Sequence, residues 1–310
     1  MNVELSEEAL AYGSTVRQAF ADAGGDRLVR DAELEPAKRE SAYAPVLAEV
    51  GAWELEPRAD GDDLEASAAV CRAAGYWCAA YPVAERLARP ADGEADGLLV
   101  VGAPVRAAAV AGLDLRWATV TVDGRRGLVT AVRPDGAPRT TAFVGELEIA
   151  DAAGDGAEDL ALGLVLPCWT LLGMLDRALD LARDHVLVRE QFGQRLSSFQ
   201  GVQFQVTEAE VERAGLEMLA KYALWSVRTR LPAAVADALA LRLAAIEAAE
   251  VVFRVAHQLH GAIGFCDETQ LSWLSRYSQP LRRLPLGLSA TRSALVRKIG
   301  RQGLPGLFHE

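Results

Sequence analysis

From about residue 157 onward the chain carries four segments of helical periodicity, each about 20 to 35 residues long, separated by breaks near residues 191–198, at Leu231-Pro232 and near residues 261–264. A lone helix of that length cannot bury its own apolar stripe, so four in succession constrain this half of the chain to a helical bundle. The third segment, residues 235–258, sets Leu239, Leu243, Ile246, Val251 and Val255 on one helical face. Ala244, Ala245, Ala248 and Ala249 leave room there for close helix approach. Residues 160–175 are the longest uncharged stretch. They include Pro167 and fall short of the roughly 20 apolar residues that cross a bilayer, so a buried core helix is expected.

The rest of the chain has two other textures. Residues 1–95 show short helical patterns, at Leu10, Val16 and Phe20, at Val46, Leu47 and Val50, and over residues 64–81, parted by Gly24-Gly25 and by residues 57–61. Residues 96–155 change to β-type runs at 98–101, 117–122, 127–132 and 140–144, with Asp123-Gly124 as a hairpin signal. Residues 86–97 and 150–158 are acidic, rich in Gly and Ala, and read as linkers. The expected fold is mainly α: an amino-terminal helical domain (1–95), a reduced β domain (96–155) and a carboxy-terminal four-helix bundle (156–310). A net charge of −11 argues against non-specific binding to nucleic acid or to an anionic membrane. Four scattered cysteines without a C-x-x-C pair supply neither a zinc site nor a disulfide framework. The acidic amino terminus lacks an export pattern, and a cytoplasmic location is expected.

Two stretches carry chemistry. In residues 188–200, VREQFGQRLSSFQ, Arg189 at a helix end can bind phosphate, Gln191 can read a polar edge, and Gly193 brings backbone close to a ligand. The competing reading is a surface turn in which Arg189 pairs with a local carboxylate. In residues 256–265, AHQLHGAIGF, small residues make room for a ligand or a neighbouring chain beside Gln258, against the alternative of a plain glycine-terminated helix. His257 and His260 share a helical face, but no acidic third ligand follows, so packing or hydrogen bonding is expected and not a metal site.

Taken in this order, the two stretches resemble the acyl-CoA dehydrogenase family. The first is similar to its R-x-Q-F-G-x-x-(I/L)-x-x-F-Q signature, the second to its Q-x-x-G-G-x-G-(Y/F) signature with Ala262 replacing the second glycine. Residues 47–87 resemble the family's amino-terminal helical domain. The resemblance implies a helical domain, a small β domain, a four-helix bundle, bound FAD and α,β-dehydrogenation of an acyl-CoA.

The departures narrow the expectation. The family's F-x-x-T-E-P, G-S-D and K-x-W-(I/T)-(S/T) segments, which hold the flavin ring and wall the substrate, have no counterpart between residues 90 and 155. Aligned on Arg276 and Arg292, the family's catalytic glutamate falls at Pro285, and the alternative base position falls at Gly163. Neither can take the α-proton of a thioester. Glu190, Glu247, Glu250, Asp267 and Glu268 are carboxylates near the signatures, each with a simpler role as helix surface or cap. The pattern therefore resembles the shortened, base-lacking subunit of actinobacterial heteromeric (α2β2) acyl-CoA dehydrogenases. That resemblance implies a full-length partner subunit that binds most of the acyl-CoA, and a bulky, steroid-type acyl group. It also implies that Arg189, Gln191, Phe192, Gln258, His260, Gly261 and Ala262 contact the ADP half of FAD in the partner's site. Two alternatives stand beside it: a self-sufficient homo-oligomeric flavoenzyme with a displaced base, and a scaffold subunit that binds no ligand.

Overall fold

The structure, a computed structural model, describes residues 2–91, 95–102, 105–134 and 143–300. The amino-terminal part consists of α1 (Glu7–Asp22), α2 (Asp26–Leu34), α3 (Arg39–Glu49), α4 (Gly61–Tyr76) and the short α5 (Val83–Leu87). Five strands follow: β1 (Gly97–Val101), β2 (Ala107–Ala108), β3 (Trp117–Thr121), β4 (Arg125–Pro134) and β5 (Gly145–Asp155). They form one sheet in the order β1-β3-β4-β5-β2, antiparallel except between β1 and β3. Gly124 turns β3 into β4 with φ 87°, its N–H donating to the Thr121 carbonyl at 2.8 Å. The remainder is α6 (Ala157–Val188), a small hairpin of β6 (Glu190–Gln191) and β7 (Gln194–Arg195), then α7 (Gln200–Arg228), α8 (Ala234–His260), α9 (Gln270–Arg283) and α10 (Leu288–Ile299).

The mainly helical fold agrees with the sequence, and four details correct it. Residues 150–155 are strand and not linker, and α6 already starts at Ala157. All of these residues but Ala152 are exposed, and backbone pairing with β4 makes them strand, which composition alone cannot tell from a linker. Of the expected run at 140–144, residues 140–142 lie outside the described residues and the strand begins at Gly145. The fourth bundle segment is two helices, broken where Pro285 has no N–H to continue α9. Leu10, counted on the buried face of α1, is 51% exposed.

The first bundle helix, α6, packs against α4, α5, α7, α8 and α9, with Val165, Trp169, Leu172 and Leu175 fully buried. By length and composition it could cross a membrane, but 83% of its apolar window is buried inside the fold, as a core helix requires. Where α4 crosses α6 the backbones touch. A Cβ added at Gly75 would stand 1.9 Å from the Thr170 carbonyl oxygen, and one at Gly173 would stand 1.9 Å from the Arg72 carbonyl oxygen. We expect Gly173→Ala to cost about 1–3 kcal/mol or more by forcing the helices apart. Gly215→Ala on α7, where the new methyl group meets nothing within 4 Å, should instead be neutral or mildly stabilising. Denaturant midpoints of the two variants check this. Ionic contacts tie the parts together: Asp159 of α6 binds Arg58 at 2.9 Å and Arg126 of β4 at 3.1 Å, and Arg72 of α4 binds Asp176 of α6 at 2.7 Å and Glu217 of α7 at 3.1 Å.

Candidate cofactor-binding site

The first signature stretch begins where α6 ends. Arg189 leaves the helix in an extended conformation, and β6 and β7 pair Glu190 with Arg195 and Gln191 with Gln194. The two-residue turn between them has φ 52° at Phe192 and φ 80° at Gly193, the double left-handed turn that suits a tight hairpin. Phe192 is thereby held in a conformation a bulky residue rarely adopts, with its ring 92% exposed. An exposed aromatic in a strained turn marks a surface built to meet something.

The second stretch closes α8. Gly261 reverses the chain at φ 66°, and a 3-10 turn over Gly261–Phe265 follows. Gly264 is needed for space, since a Cβ there would lie 2.9 Å from His260 Cβ. His260 donates to the Ala256 carbonyl through Nδ1–H at 2.8 Å, and its ring stacks on His185 from the last turn of α6 at 4.5 Å. That stack joins the two stretches, and the sequence reading missed it because His185 lies outside both signatures. His257 stacks on Phe265 at 4.3 Å, so His257 serves packing while His260 both packs and hydrogen-bonds. Burial holds His185, His257 and His260 below the usual imidazole range. His260 adds to the effect on the other two, Arg189 on His185, and Arg282 on His257. The rings are thus neutral near pH 7, and positive charge at this end comes from arginine.

The Arg189 side chain is exposed and has no hydrogen-bond or ion-pair partner among the described residues, so the alternative of a pair with a local carboxylate is not formed there. Gln191, Gln258, Gly261 and Ala262 are exposed on the same end of the bundle. An unpaired guanidinium, two free amides, exposed glycine backbone and an aromatic ring fit a phosphate-bearing, aromatic-ended group such as the ADP half of FAD.

The two base positions lie elsewhere. Gly163 and Pro285 both line a cavity of about 120 Å³ between α5, α6, β1 and the turn after α9. A Cβ at position 163 would stand 2.7 Å from Val100 Cγ2 and 3.3 Å from Leu98 Cδ2, so β1 fills the space a side chain would need. The Pro285 turn is clamped by Arg242, which donates to the carbonyls of Leu281, Leu284 and Leu286 at 3.1, 2.5 and 2.7 Å. None of Glu190, Glu247, Glu250, Asp267 and Glu268 lines this cavity, and all are exposed. Glu247 pairs with Arg292 at 3.0 Å, and Asp267 with Arg276 at 2.7 Å. The carboxylate on the wall is Glu85, which carried no signal in sequence because it sits in a five-residue helix with an ordinary surface pattern. From Gly163 to Arg189 runs most of α6, roughly 40 Å at its helical rise. The signature stretches therefore cannot serve their own chain's cavity.

Residues 158–287 match the family model described as acyl-CoA dehydrogenase, C-terminal domain. Among curated proteins, the chain is 33% identical over 146 residues to a 3-sulfinopropanoyl-CoA desulfinase of Paraburkholderia xenovorans, covering 47% of this chain and 34% of that protein. It is 32% identical over 116 residues to the acyl-CoA dehydrogenase FadE28 of Mycobacterium tuberculosis, covering 37% and 33%. These matches span about a third of the length of each relative. Among solved structures, the ChsE4–ChsE5 complex of Mycobacterium tuberculosis aligns at TM-score 0.75 and 19% identity over 97% of this chain and 98% of that one. A variant of the Tcur3481–Tcur3483 steroid ACAD aligns at 0.77 and 19% over 96% and 98%. The FAD complex of PigA aligns at TM-score 0.70 with 15% identity over 98% and 100%. Residues 158–287 thus match the carboxy-terminal domain of the acyl-CoA dehydrogenases, and the chain as a whole shares the fold of these solved structures.

Proposed function

We propose that this chain is the base-lacking subunit of a heteromeric FAD-dependent acyl-CoA dehydrogenase, and that its signature stretches bind the ADP half of FAD in a full-length partner's site. The observation that carries this reading is the separation within the chain: an exposed, unpaired Arg189 on a strained hairpin lies a helix length away from a cavity whose two base positions are Gly163 and Pro285. The likeness to structures described as the ChsE4–ChsE5 complex and a steroid ACAD supports a heteromeric assembly and a bulky, steroid-type acyl-CoA, and the α2β2 arrangement rests on the sequence resemblance alone. The location that goes with it is cytoplasmic.

When bound, FAD supplies the hydride acceptor for oxidation of the Cα–Cβ bond. This chain's share is binding. Arg189 meets diphosphate oxygens, Gln191 and Gln258 supply amide contacts, Phe192 covers the adenosine, and Gly261 and Ala262 let backbone approach. His260, kept neutral and braced by His185, holds the α8 end against the hairpin. The partner supplies the base. Co-expression with a full-length acyl-CoA dehydrogenase subunit from the same genome tests the reading: a stable hetero-oligomer with fewer flavins than chains is expected, and a chain that purifies alone with one FAD each would overturn it.

One observation favours a second reading, a self-sufficient flavoenzyme with a displaced base: Glu85 lines the cavity in which Gly163 and Pro285 stand. A cavity of about 120 Å³ is well short of the roughly 300–1,000 Å³ of typical ligand pockets, and this favours the first.

A further inference from the structure

A larger cavity, of about 580 Å³, opens on the first turns of α6, at the far end of that helix from Arg189. Its other walls are α4 with the residues before it, the turn from α7 to α8 and the last turn of α10. Leu64, Leu162 and Val235, all buried, make the floor apolar. Cations stand around it. Arg58 pairs with Asp159, and Arg228 with Asp62 and Glu65. The Arg230 and Lys298 side chains are exposed and have no hydrogen-bond or ion-pair partner among the described residues. Arg230 ends α7 at φ 51°, a left-handed turn that glycine takes more easily, and such strain is kept where the side chain has a use. Of the two carboxylates on the wall, Asp60 caps α4 through the N–H groups of Asp62 and Asp63, and Glu158 is exposed. Protein interiors are close-packed, so a space of this size against core side chains calls for an occupant.

We infer that the occupant is the chain's own segment 304–310, which follows α10 and lies outside the described residues. Place is the first argument. Lys298 lines the cavity, and Gly300 closes α10 at φ 60°, so the chain leaves the helix two residues beyond the cavity wall. Six to twelve residues of extended chain reach about 20–40 Å, and a sphere of 580 Å³ is only about 10 Å across. Composition is the second. Residues 304–308 read Leu-Pro-Gly-Leu-Phe, an apolar run followed by His309 and Glu310. A cavity of about 150 Å³ takes benzene, so this one takes roughly 23 heavy atoms, and the side chains of Leu304, Pro305, Leu307 and Phe308 bring about 18.

Charge is the third argument. Glu310 is the one acidic residue of the segment, and the two cations left over at the cavity, Arg230 and Lys298, complement it. A free apolar anion has the same chemistry, but a segment tethered beside the cavity is present at an effective concentration in the millimolar range, which a dilute ligand does not match. Seated there, the segment shields Leu162 and Val235 from water and ties α10 to the turn between α7 and α8. The inference is independent of the FAD reading, because Arg189 and the hairpin stand at the other end of α6.

The test is titration of the whole chain with anilinonaphthalene sulfonate, an apolar anion of about 21 heavy atoms that fluoresces on apolar surfaces. Leu307→Asp with Phe308→Asp keeps the length of the chain and should empty the cavity. A segment seated about nine-tenths of the time leaves about one-tenth of the cavities open, so the double variant should bind the dye about 10-fold more tightly than the parent. A synthetic peptide of residues 301–310, added at millimolar concentration, should return the double variant to the parent's level. Ala157→Trp, at an exposed position on α6, and Ala234→Trp on α8 each fill the cavity, and either should remove the gain while keeping the circular dichroism of the parent. Equal dye binding by parent and double variant would overturn the inference, since the cavity would then stand equally open to any free anion. So would a gain that survives both tryptophans, or a peptide that does not compete.

Discussion

The purified chain, supplied with FAD and a panel of acyl-CoAs, is expected to turn over at least about 10⁴-fold more slowly than its complex with a full-length subunit. A positioned base is worth about 10²- to 10⁴-fold in rate. Here Gly163 and Pro285 occupy both positions from which the resemblance would supply one. The cavity between them is about 120 Å³, too small for a thioester and a flavin ring together. The flavin-ring segments of the family are absent from the sequence between residues 90 and 155, so the hydride acceptor would lack its usual support as well. Gly163→Glu is expected not to restore turnover, because the first carbon of the new side chain would already stand 2.7 Å from Val100 Cγ2. Steady-state rates of chain, variant and complex decide it. Turnover by the isolated chain near the ordinary enzyme range of about 1 to 10³ s⁻¹ would show that another carboxylate, Glu85 first among them, does the work.

How far the fold could be read from sequence depended on the length of each pattern. The bundle was legible because residues such as Leu239, Ile246 and Val255 repeat over many turns, and a long repeat outvotes local exceptions. The two signature stretches were legible as well, and the structure brings them together at one end of the bundle through the His185–His260 stack. The stack itself was not: His185 is one residue on a long helix, and only the crossing of α6 and α8 places it. The second half of β5 was hidden because Ala150, Asp151, Ala153, Gly154 and Asp155 are all exposed and only backbone pairing with β4 makes them strand, so their acidic, Gly- and Ala-rich composition reads as linker. Glu85 was hidden for the opposite reason. A glutamate beside Arg86 looks like helix surface, but Arg86 turns to Glu40 at 3.3 Å and leaves Glu85 on the cavity wall. In both cases the side chain's address is set by tertiary packing and not by neighbours in sequence.

Replacing Arg189 by alanine is expected to weaken FAD retention by the assembled complex roughly 10- to 100-fold. A hydrogen bond to a charged group contributes about 1.5 to 3 kcal/mol net, and each 1.4 kcal/mol is a factor of about ten in affinity. The folded chain itself should not notice the change, because the Arg189 side chain is exposed and makes no hydrogen bond or ion pair among the described residues. The melting temperature of the flavin-free complex should therefore be the same for parent and variant, which separates loss of a cofactor contact from loss of structure. Arg189→Lys keeps the charge but not the planar fork that grips two phosphate oxygens, and should fall between the two. Flavin release on dilution, followed by fluorescence, gives all three values. If parent and Arg189→Ala complexes retain FAD equally and melt equally, the hairpin is only an inter-helix turn, and the strain at Phe192 must serve contact between subunits and not cofactor binding.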